Sequence, residues 1–118
     1  MRRLILAAAL TLPAAAAAQE EVSPARGAVL RGLDKISGVL TDMEIPNGGS
    51  YRLGRIEVSV EDCRYPTGNP AGDAFAYVTV RGGDAAPLFS GWMIASSPGL
   101  NALDHSRYDV WVLRCMTS

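Results

Sequence analysis

Two cysteines, Cys63 and Cys115, are the only ones in this 118-residue chain, and they follow an export leader. Met1-Arg2-Arg3 is a short cationic head, Leu4 to Leu12 an apolar stretch, and Pro13 a helix breaker. An alanine run then ends in Ala16-Ala17-Ala18 before Gln19. This is the pattern of a secretory signal peptide over 1–18, cut after about Ala18. The apolar stretch falls short of the roughly 20 residues that span a bilayer, so no stable membrane span is expected after cleavage. Thiols that leave the cytosol meet an oxidising compartment, and one Cys63–Cys115 disulfide is the most economical reading. Free thiols or a metal pair are the alternatives. With one histidine in the chain and no Cys-x-x-Cys spacing, zinc lacks ligands, and neither a metal nor a cofactor is expected.

The exported part, 19–118, is the length of one domain. Loss of Arg2 and Arg3 from the eleven basic side chains leaves nine against twelve acidic ones. That net charge of −3 and the single lysine exclude the clustered cationic surface of a nucleic-acid binder. The first part, 19–33, carries Glu20, Glu21, Pro24 and Gly27 without a sustained period and reads as a flexible amino-terminal arm. A single β-rich domain is expected over 34–118.

Within it, Val39, Thr41, Met43 and Ile45 alternate with Leu40, Asp42 and Glu44, as in a strand with one wet face. Pro46-Asn47-Gly48-Gly49-Ser50 supplies a reversal, and a returning strand is expected from Tyr51 to Asp62 with Ile56, Val58 and Val60 inward. Cys63 falls on the polar phase of that alternation, so an inward Cys63 requires a bulge near Glu61-Asp62. Further strands are expected over 74–80, 88–95 and 108–116, the last two apolar on both sides and hence central or doubly covered. A plain meander of five strands would leave the cysteines a strand length apart, about 20 Å, whereas a disulfide needs Cα atoms within about 7 Å. The link 96–107 must therefore return the chain along the sheet. Ser96 or Ser97 as a cap, Pro98 at the first helical position, and Leu100 and Leu103 facing inward predict a short helical crossover at about 97–104. The expected fold is mainly β: a small antiparallel five-stranded sandwich or partly open barrel with that one helix.

Candidate chemistry is sparse. Ser96, Ser97, Asp104 and His105 contain the residue types of a hydrolytic triad, but adjacent Asp104 and His105 point apart and the Gly-x-Ser-x-Gly elbow is absent. No catalytic residue is assigned. Glu57 and Glu61 lie on the outward face of a strand, as solvated charge. All eight aromatics lie at or after Tyr51. Trp92, Tyr108 and Trp111 flank the expected crossover, and core filling is the plain reading of them. The sharper reading places Trp92 and Met93, with Ser96, Ser97, Asp104, His105 and Tyr108, on a binding surface for an envelope protein, peptide or glycan.

The segments Leu33-Asp34-Lys35-Ile36-Ser37-Gly38, Leu53-Gly54-x-Ile56, Phe89-Ser90-Gly91-Trp92-Met93, Ala95-Ser96-Ser97-Pro98, Leu103-x-His105 and Tyr108-Asp109-x-Trp111 resemble the domain-of-unknown-function family 2155. So do Cys63, Pro66, Pro70, Ala74-Phe75 and Cys115, and the likeness covers nearly all of the exported chain. One position departs: Ser106 stands where a proline is expected after the histidine. The resemblance implies a small exported protein of Gram-negative bacteria with two paired cysteines, and it supplies no catalytic residue. The sequence thus points to a periplasmic, non-enzymatic interaction or structural module of the cell envelope. A ligand-binding groove near Trp92 is the second reading, and a small hydrolase using Ser96 or Ser97 with His105 the third.

Overall fold

The computed structural model describes residues 21–83 and 86–117. The expected signal peptide over 1–18 lies outside the described residues. Eight strands are present: β1 Val22–Pro24, β2 Gly27–Asp34, β3 Leu40–Pro46, β4 Gly49–Leu53, β5 Ile56–Pro66, β6 Phe75–Arg81, β7 Phe89–Ile94 and β8 Tyr108–Met116. They form two antiparallel sheets packed as a sandwich. One runs β1-β5-β6-β7 with β4 also on β5, and the other runs β3-β2-β8. The sheets do not close into a barrel.

The inward residues follow the alternation of the sequence. Met43 and Ile45 of β3, Ile56, Val58 and Val60 of β5, Val78 and Val80 of β6, and Val110 and Val112 of β8 meet in one core. The β5–β6 register shifts between Val60 and Asp62. That is the bulge the phase of Cys63 demands: it turns Cys63 inward to full burial. There it bonds Cys115 of β8 with a Cα separation of 5.8 Å, joining the two sheets.

Several expectations are corrected. Part of the expected arm over 19–33 is β2, the central strand of the three-stranded sheet, paired along its length with both β3 and β8. Ala28 and Leu30 there are fully buried. The expected strand from Tyr51 to Asp62 is broken at Gly54-Arg55 into the β4–β5 hairpin. The Pro46–Ser50 reversal does not pair β3 with the next strand. It passes the chain between sheets: Asn47 N donates to Arg26 O on one side, and Gly48 N donates to Val60 O on the other. Gly48, at φ +84°, sits at that corner, where a side chain would be strained. Strands β7 and β8, expected to be central or doubly covered, lie at the ends of their sheets.

No helix occurs among the described residues: 98–101 is turn and bend, and 102–104 has no regular structure. The reason for expecting a crossover there nevertheless holds. β7 ends beside the start of β6, where Ile94 pairs with Phe75. The link then runs back along β7, with Asn101 Nδ2 donating to Trp92 O at 2.9 Å. It delivers Tyr108 beside Arg55, so β8 runs in the same direction as β5 and β7. The return is made in extended and turn conformation because the link crosses to the other sheet, where only Leu103 needs burial, and a one-sided helical stripe has no surface to cover.

Candidate functional site

The alternation of β7 separates the two residues on which the expected binding surface rests. Met93 faces the core and is buried, while Trp92 faces out and is 42% exposed. Register pairs Trp92 with Tyr77 and Ile94 with Phe75 on the neighbouring strand. The indole stands edge-on to the Tyr77 ring, 5.4 Å between centroids at 84°, a favoured geometry for two quadrupoles. Trp92, Phe75, Ile94, Val22 and the stem of Arg64 line a shallow groove of about 290 Å³ on the outer face of the five-stranded sheet. Above Trp92 the face becomes polar: Ser90 Oγ lies 3.2 Å from both Tyr77 Oη and Thr79 Oγ1. Asp62 and Arg64 pair at 2.8 Å along the third strand of the same face. An apolar strip bounded by hydroxyls and one ion pair can take a partner's apolar group and orient it by polar contacts at its rim.

The remaining candidates are drawn elsewhere. Ser96 sits at the Phe75 end of the sheet, where its Oγ donates to Asp73 Oδ2 at 2.6 Å and its N–H to Asp73 Oδ1 at 2.9 Å. Burial pushes the Asp73 carboxyl up. Hydrogen bonds from Ser96 Oγ, Ala74 N and Ser96 N together outweigh it and hold the group below the usual carboxylate value. Ser97 is exposed in the following turn, and Asp104 is exposed further along the link. His105 Nδ1 accepts from Arg107 N at 2.9 Å and Tyr108 N at 3.2 Å, closing the turn into β8. Its ring tilts on Tyr108 at 5.2 Å. Ser96 and His105 are thus at opposite ends of β6, a strand length of about 20 Å apart, and no triad forms. Tyr108, expected on the binding surface, is buried at 2%. Its Oη accepts from Arg55 N at 3.0 Å, directly over Gly54, where any Cβ would collide with the phenol.

Sequence reasoning missed the groups that organise the far end. Asp34 accepts from Arg107 Nη2 at 2.9 Å and from Nε at 3.2 Å. It also receives the amides of Ile36 and Ser37. The Arg107 bonds first and the two amides after them outweigh partial burial, lowering the Asp34 carboxyl to about 2. A Leu-Asp-Lys-Ile-Ser-Gly stretch ahead of a strand is the one sequence signal, an Asx-type turn. A folded-state value below the ordinary 3.8 means that Asp34 stabilises the fold above that pH and loses its contribution as pH falls toward about 2. The stability gap between the native chain and Arg107→Gln is therefore expected to narrow as the pH of a urea titration falls from 4 to 2. A gap constant through that window would contradict the assignment.

Among the described residues no three His, Cys, Asp or Glu side chains gather as a metal would require. No helix there is long and apolar enough to cross a membrane. A family model described as an uncharacterized protein conserved in bacteria (DUF2155) matches residues 28–115. No curated protein and no solved structure matches the chain.

Proposed function

The chain belongs to the DUF2155 family, and on that premise we propose that it is a periplasmic, non-enzymatic interaction module whose partner-binding face is the outer surface of the five-stranded sheet around Trp92. The Cys63–Cys115 bridge fits an extracytoplasmic location. The observation that carries the reading is the placement of Trp92. A domain this small has every reason to bury its largest apolar side chain, and it buries the neighbouring Met93 instead. Trp92 stands in the open beside Val22, Phe75 and Ile94, the composition of an anchor position in protein interfaces. The bond of Ser96 to Asp73 and the use of His105 Nδ1 in a backbone turn speak against a hydrolase.

Fluorescence tests this reading. In a Trp111→Phe variant the remaining emission comes from Trp92 alone. We expect the purified protein to emit at long wavelength and to be quenched readily by acrylamide. With 5-hydroxytryptophan incorporated at position 92 and excited at its red-shifted band, addition of a periplasmic and outer-membrane fraction is expected to protect that indole from acrylamide. Emission that is already blue and quencher-resistant in the purified protein would sink the proposal, as would quenching unchanged by the envelope fraction.

A further inference from the structure

The end of the sandwich opposite Ser96 carries a second unexplained feature. Asp34 to Leu40 joins β2 to β3, and at its tip Ile36 is 74% exposed, followed by Val39 and Leu40, each more than half exposed. This is not a loose loop. Gly38 N donates to Asp34 O and Asp34 N to Val39 O, Ser37 Oγ accepts from Val39 N, and Lys35 N donates to Arg107 O. Lys35 Nζ ties the base to His105 O at 2.8 Å, and the Arg107 fork holds Asp34 from behind. The hydrogen bonds fix a hairpin that holds three branched aliphatic side chains out in water.

Beside that tip lies a groove of about 430 Å³. Its apolar wall includes Ile36 and Leu88, the latter 46% exposed, and its polar wall includes Arg55, Arg107, His105 and Ser106. Among the described residues, no carboxylate lines it. The nearby Asp34 is turned away into the Arg107 fork. His105 Nδ1 accepts two backbone amides, which leaves Nε2 as the protonated nitrogen of a ring that lines the groove. The groove therefore offers guanidinium, imidazole and hydroxyl donors on one side and the aliphatic surface of Ile36 and Leu88 on the other, while Val39 and Leu40 are exposed at the base of the same hairpin.

That pairing of anion donors with a projecting aliphatic tip matches an amphiphile whose charged group is an anion. We propose that this end of the sandwich docks on an anionic phospholipid surface. The phosphate headgroup sits against Arg55, His105 and Arg107, while Ile36, Val39, Leu40 and Leu88 enter the acyl boundary. Shallow aliphatic insertion combined with a few basic contacts is the usual basis of reversible interfacial binding. The Trp92 face is on a different surface and stays free for a partner, so membrane docking here is independent of the partner reading above.

The test is flotation of the disulfide-bonded protein, purified from the periplasm of expressing cells, with vesicles of phosphatidylethanolamine and phosphatidylglycerol. We expect the native chain to float with phosphatidylglycerol-containing vesicles and to be released by high salt. Ile36→Asp is expected to weaken partition about tenfold or more through loss of the inserted side chain, and Arg55→Ala about fivefold through loss of one cation. Leu100→Asp alters a residue of similar exposure, 71%, on the 95–107 link and is expected to change nothing. All these positions are exposed, and unchanged thermal melting shows that each variant is folded. A native chain that stays unbound at every lipid composition overturns the proposal, and so does an Ile36→Asp variant that floats as the native chain does. If cross-linking from position 36 captures a protein while vesicles go unbound, the tip serves a protein partner and the lipid proposal fails.

Discussion

Replacing Cys63 and Cys115 together by serine is expected to lower the unfolding free energy by about 4 kcal/mol, the cost of freeing a loop of this length in the unfolded chain. The bridge spans 52 residues of sequence, and both half-cystines are buried between the sheets. It is the one covalent tie between β5 of the larger sheet and β8 of the smaller. For a domain of about 100 residues the loss corresponds to a fall in melting temperature of roughly 15–30 °C. Urea titrations of the oxidised protein and the double variant measure it directly. Midpoints within experimental scatter of each other would mean that the two sheets are held by packing alone.

Leu30→Ala is the second large effect, and it bears on the part of the fold that sequence patterning conceals. Leu30 is fully buried in β2, among Met43, Val112 and their neighbours in the core. We expect a destabilisation of about 3 kcal/mol, from lost transfer energy and the cavity left behind. Had 19–33 been a mobile arm, the same substitution would leave the denaturation midpoint in place. The variant therefore separates a core strand from a docked leader in one measurement.

Why β2 escapes a reading by period follows from its place between β3 and β8. Gly27, Ala28, Val29 and Leu30 are all buried, so hydrophobic alternation, which reports one wet face, is missing. Its glycines look like loop punctuation. At Gly27, though, a Cβ would meet the backbone of Ile45 and Pro46 on the paired strand, so the residue is there for close approach. Where one face is wet, the pattern is legible: β3 buries Met43 and Ile45 and exposes Asp42 and Glu44, and the phase slip before Cys63 locates the bulge. The break at Gly54-Arg55 is concealed because Leu53 and Ile56, on either side, both face inward.

The candidate surface was legible in composition and illegible in orientation. Trp92, Tyr108 and Trp111 stand out in the sequence as aromatics flanking the 96–107 link, but which of them faces water depends on strand phase and on what packs over each face. The structure leaves Trp92 42% exposed and buries Tyr108. Ser96, Ser97, Asp104 and His105 drew attention by type and proximity in sequence. A link that runs the length of the sheet separates them in space, and the structure uses Ser96 and His105 to fasten the two ends of that link. The Asp34–Arg107 fork joins residues 73 apart in sequence, a pairing that no local pattern announces.

In this account the outer face of the five-stranded sheet meets a partner in the cell envelope and the opposite sheet does not. Photo-cross-linking in living cells measures that difference. A photoreactive amino acid is placed in turn at Trp92, at Ser90 on the same face, and at Asp109 on the outer face of the smaller sheet. We expect one discrete cross-linked species from positions 92 and 90, lost when Phe75→Asp is added, and none from position 109. Equal cross-linking from all three positions, or none from position 92, would contradict the account.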